Sequence, residues 1–231
     1  MRALRILLIM AVVLGGVFVA VDRVALHFAE SEAEGRITFG DAEAGSTDVS
    51  IKGFPFLTQA AASELDRVDV TVKDIRAGAA GRSIRISEIQ ARLDRVTLGA
   101  GYTSATAARA TGTALISYAA LTEAADDGVT VGYGGDGKVK VTGTVKIPLL
   151  GQTLTRSVLS TVTLVDGDTV RVRADEVPGE GIPGLEDLVR TKTDFEREIG
   201  GLPAGLELQK IEVAPGGLEV SVTGSDVRLA G

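Results

Sequence analysis

Cysteine and tryptophan are absent from the 231 residues, and histidine occurs once. Without cysteine there is no disulfide and no thiolate metal site. One histidine leaves a zinc ion almost nothing but carboxylates. It also leaves a Ser-His-Asp triad with His27 as its sole base. His27 stands among apolar residues (VALHF) just past a long hydrophobic run and reads as an interfacial bystander. Aromatic residues are 4% of the chain, so the core must be built from Val, Leu, Ile and Ala. The aromatic platforms common in sugar-cleaving sites are correspondingly scarce, although a carboxylate pair in a cleft remains a formal alternative.

Other chemistry-bearing motifs are missing too. No Gly-x-Ser-x-Gly elbow occurs, and the glycines from Gly132 to Gly137 lack the Lys-Ser/Thr ending of a phosphate loop. Asp166-Gly167-Asp168 lacks the rest of a twelve-residue calcium loop and reads as a hairpin turn. The expectation is a protein that is not an enzyme, with no catalytic residue, metal or cofactor. Positive charge is also in short supply: the formal net charge is −7. Arg2 and Arg5 against Asp22 leave +1 on residues 1–22, so the remainder carries −8. An acidic body of this kind repels phosphate backbones and excludes nucleic acid as a partner.

One long hydrophobic run is present. Ile6 to Val21 carries no charge and follows two arginines, the pattern of an export signal or anchor. Sixteen residues are slightly few for a span, and Val24 to Phe28 resumes the apolar character. With Ala20 at −1, a signal-peptidase site would place bulky Phe18 at −3, so a retained anchor is expected. Basic residues stay cytoplasmic. This predicts a signal or anchor over 1–22 and an extracytoplasmic domain over 23–231, at the plasma membrane.

Past residue 36, alternation of period two dominates. Val68, Val70 and Val72 alternate with polar residues; Ile84 and Ile86 flank Arg85; Leu93 and Val96 fall out of phase, as at a bulge. Hairpins are expected across 134–137 and 214–217. Two segments read as helices: alanine-dense 103–125, with Leu115, Ile116, Tyr118 and Leu121 at helical spacing, and 185–199, with Leu185, Leu188 and Ile199 on one face. The expected class is α+β, a mainly antiparallel curved sheet with two packed helices plus the N-terminal membrane helix.

Gly53-Phe54-Pro55-Phe56-Leu57-Thr58-Gln59 holds two of the six phenylalanines, at an edge or mouth because Pro55 interrupts pairing. Two core aromatics at a turn are the ordinary reading; an apolar lip for acyl chains is the functional one. GFPFLTQ, together with GTVKIPLLGQ at 143–152, LPAGLELQKIEV at 202–213 and GLEVSVTGSDVRL at 217–229, resembles the LmeA-type family of actinobacterial cell-envelope proteins. The resemblance implies phospholipid binding on the outer face of the plasma membrane and a supporting, non-glycosyltransferase role among envelope glycolipid pathway proteins. It brings no catalytic residues. A curved sheet of this kind is similar to tubular lipid-binding folds by analogy. The candidate groove or lip is Phe54, Phe56 and Leu57, Leu149 and Leu150, with Leu115, Ile116, Leu185 and Leu188 from the expected helices. The rival reading is an envelope scaffold that binds protein or polymer through exposed strands.

Overall fold

The structure is a computed structural model that describes residues 2–37, 44–79, 82–147, 152–176, 190, 191, 193–199, 202 and 204–230. Helix α1 (Arg2–Arg36) is followed by β1 (Ser46–Lys52), α2 (Phe56–Ala62), β2 (Glu64–Ala79), β3 (Arg82–Leu98) and β4 (Ala105–Ser117). Next come α3 (Tyr118–Ala124), β5 (Val129–Gly135), β6 (Lys138–Ile147), β7 (Gln152–Val165), β8 (Thr169–Ala174), β9 (Phe195–Glu198), β10 (Leu206–Ala214) and β11 (Gly217–Ala230). The strands form two antiparallel sheets, ordered β1-β2-β3-β4-β11-β10 and β5-β6-β7-β8-β9. Mostly antiparallel strands, a few helices and a long N-terminal apolar helix make the α+β class of the sequence reading.

Two expected helices are placed differently. Residues 105–117 are a central strand, and only Tyr118–Ala124 is helical. Ser117 caps that helix by accepting the N–H of Ala120 at 3.3 Å. At the other segment, residues 195–198 pair with β8, Val172 opposite Phe195, instead of continuing a helix to 199.

The six-stranded sheet has one apolar and one polar face, as period-two alternation requires. That alternation slips along a line through four strands. Leu65, Val96, Ala107 and Val227 occupy one row across β2, β3, β4 and β11. Val68, Leu93, Ala110 and Gly224 occupy the next apolar row, three positions away in every strand. All the side chains in both rows are buried. Arg95 and Asp226, between the rows, take left-handed φ of 51° and 52°. The phase break at Leu93–Val96 is therefore one point of a crease through four strands.

Helix α1 has two halves. Its first part is apolar and exposed, and by length and composition alone it is able to cross a membrane. From Asp22 onward the same unbroken helix packs on the domain. Ala25, Ala29, Ala33 and Ile37, spaced by four, lay a stripe of mostly small residues on the core of Val49, Ile51, Phe56, Val68 and Leu93.

Candidate functional site

The GFPFLTQ segment joins α1 to the sheet. Gly53 has a φ of +105°, and a Cβ there would meet Gln59 Nε2 at 2.5 Å and Asp66 Oδ2 at 2.7 Å, so only glycine fits. The Phe54–Pro55 bond is cis. Pro55 then precedes α2, whose first N–H groups need acceptors. Asp22 supplies one: its Oδ1 accepts the N–H of Leu57 at 2.8 Å, while its Oδ2 pairs with Arg23 at 2.5 Å. Gln59 closes the motif by accepting the N–H of Asp66 at 2.8 Å.

The two phenylalanines part company here. Phe56 is 7% exposed and belongs to the core. Phe54 is 58% exposed, with the Arg23 guanidinium 5.2 Å from its ring centroid, a cation–π contact. Leu57 is half-buried between them.

Leu115 and Ile116 also separate. On a strand they point to opposite faces. Leu115 lies in the row of Glu88 and Glu219, whereas Ile116 lies opposite Leu218 on the apolar face. Leu149, Leu150, Leu185 and Leu188 lie outside the described residues.

Ile116 leads to a feature that the sequence reading missed. The α1–α2 core covers one end of the apolar face. At its other end, Leu218 and Val213 join Val139, Val141, Val158 and Ala174 of the five-stranded sheet, with Tyr118 and Leu121 of α3. Tyr118 locks this junction by donating to Ala214 O at 2.6 Å. Burial, and then the neighbouring Tyr133, raise the Tyr118 hydroxyl above its ordinary pKa of 10.0, which keeps it a donor. Between the two cores runs the row Ile89–Ala114–Val220–Ile211, flanked by Ile86 and Ile116. Ile86, Ile89, Ala114, Ile116 and Ile211 are half-buried. This apolar band links the sheets, and its signal was the alternation in β3, β10 and β11.

The opposite face carries a groove of about 450 Å³ lined by Asp69, Thr71, Gln90, Arg92, Thr113 and Ser221 among others. Asp69 and Arg92, cross-strand partners that line it, pair at 3.5 Å. Hydroxyls, amides and charges make it unsuited to acyl chains. Among the described residues no three His, Asp or Glu side chains gather as a metal set.

No curated protein and no solved structure matches the chain. Residues 20–223 do match the profile of a family described as LmeA-like phospholipid-binding. That match begins two residues before Asp22, where α1 first touches the domain, and covers most of the chain. The protein belongs to the LmeA-like phospholipid-binding family.

Proposed function

We propose that the chain is a phospholipid-binding protein held at the plasma membrane by α1, with its domain on the extracytoplasmic side. It takes acyl chains against the apolar band and serves envelope glycolipid metabolism by binding, not by catalysis. The band of Ile86, Ile89, Ala114, Ile116 and Ile211 carries this reading, because its half-buried aliphatic rows offer the long apolar contact an acyl chain needs. Each methylene so buried contributes roughly 0.8 kcal/mol, and a handful give useful affinity. A scaffold that binds a polar polymer or protein is the second reading, and the polar groove lined by Asp69 and Arg92 favours it.

Native mass spectrometry of the full chain, with organic extraction of what co-purifies, separates the two. Stoichiometric phospholipid released only on unfolding supports the binding role. A clean apo mass, unchanged after incubation with phospholipid vesicles, would leave the scaffold reading.

A further inference from the structure

We infer that the α2 end of the domain is itself a bilayer-contacting surface, seated in the headgroup layer with Phe54 and Tyr102 as its interfacial aromatics. The inference rests on the anchoring role proposed for α1. Three observations point to it.

The first is continuity. Helix α1 leaves the domain at Asp22, and the side chain of Asp22 is bonded to the first turn of α2. Whatever plane the exposed apolar half of α1 enters, the α2 end lies against it. The second is length. Ile6 to Val21 spans about 24 Å at 1.5 Å per residue, short of a hydrocarbon core of about 30 Å. A short span is accommodated by local thinning or by flanking groups that sink towards the apolar layer. Val24, beside the junction, is exposed and apolar, as such a flank requires.

The third is what the end presents. Phe54 is 58% and Tyr102 56% exposed. Tyr102 sits beside α2, donating its hydroxyl to Ala60 O at 3.3 Å. An apolar ring and an aromatic with a polar tip suit a membrane–water boundary. Arg23, stacked on Phe54, has its charge at the level where lipid phosphates lie. Phe54 therefore contacts the surrounding bilayer rather than a bound ligand.

The chain has no tryptophan, so single substitutions report position without background. Phe54→Trp, Tyr102→Trp, Val13→Trp and Tyr133→Trp are placed one at a time in the full chain. Each is reconstituted into phosphatidylcholine–phosphatidylglycerol vesicles, some carrying brominated acyl chains. Val13 lies within the apolar run. Tyr133 packs near Tyr118 at the far end of β4, about 40 Å from the α2 end at 3.3 Å per residue. The expected result is blue-shifted emission and loss of roughly half the intensity at positions 13, 54 and 102, with none at 133. Quenching at 13 without quenching at 54 and 102 overturns this inference and leaves the anchor standing. No quenching at 13 overturns both. Quenching at 133 equal to that at 54 shows the domain lying on its side and also overturns it. The extraction experiment above bears on lipid capture alone, so the two readings fail separately.

Discussion

The hydroxyl of Ser160 lies on the apolar face of the five-stranded sheet, opposite Val139 and Ala174, fully buried and without a hydrogen-bond partner among the described residues. An unsatisfied buried hydroxyl costs about 1–3 kcal/mol. Ser160→Ala removes it and leaves a void of one oxygen, so it is expected to stabilise the fold by about 1 kcal/mol, or roughly 2–4 °C in a thermal melt. A lower melting temperature would mean that the hydroxyl is bonded after all. Lys138 and Asp175 show the reverse, a well-satisfied pair. They meet at 2.8 Å, and Thr161 donates to the same carboxylate at 2.6 Å. The Lys138 ammonium and the Thr161 hydroxyl hold Asp175 below its ordinary pKa of 3.8, and Asp175 raises Lys138 above 10.5. Stability from Asp175 is thus present above 3.8 and lost as pH falls through its lower folded value. That from Lys138 is present below 10.5 and lost as pH rises through its higher one. Melting temperatures followed from neutral pH into acid should fall less steeply for Asp175→Asn than for the parent. Neither residue was singled out from sequence, because they lie 37 positions apart and meet only through strand pairing.

At the level of elements, α1 protects an edge. Among the described residues strand β1 pairs with β2 on one side only, and an edge strand's unpaired N–H groups invite association. Glu30 Oε1 accepts the N–H of Ile51 at 2.8 Å, and Glu34 Oε1 that of Val49 at 3.2 Å. The spacing explains the fit: four helical residues rise about 6 Å and two strand residues about 6.6 Å. Glu30→Ala with Glu34→Ala should cost about 1 kcal/mol each and speed amide exchange at Val49 and Ile51. Glutamine at both positions keeps the acceptor and should restore protection; failure of that rescue would point to charge rather than hydrogen bonding. In the part of α1 that packs on the domain, Ala25, Ala29 and Ala33 recur every four residues, the spacing of one helical face. Residues 105–117 were misread for a physical reason. Along the crease, a strand of period two acquires a step of three, so Ala107 and Ala110 are both buried. A step of three imitates a helical face, and alanine favours helix locally. Pairing with β3 and β11 on both sides overrides that preference.

For the whole molecule, among the described residues the two sheets meet through α3, with Tyr118 at its start, and the turn of β10 into β11, and the apolar band leads to that junction. The hairpins across 134–137 and 214–217 were legible from Gly-Gly-Asp-Gly at the first turn and Pro-Gly-Gly at the second, and the family from GFPFLTQ, whose glycine, proline and glutamine each have a backbone task here. The band was not legible, because it needs the order of strands across the sheet. It makes adjacent residues diagnostic. Threonine is β-branched, as strands favour, and removes apolar surface, so Ile116→Thr and Leu115→Thr are compared by what phospholipid adds to each rather than by fold cost. If acyl chains lie along the band, phospholipid at about a hundred times its dissociation constant adds ~2.7 kcal/mol to the parent, or roughly 5–10 °C. Ile116→Thr should weaken binding about tenfold, reducing that gain by ~1.4 kcal/mol, and Leu115→Thr should leave it intact. Melting temperatures with and without phospholipid would decide. Equal losses in both variants would place the lipid elsewhere, since only a ligand on the apolar face distinguishes neighbours whose side chains point to opposite sides of one strand.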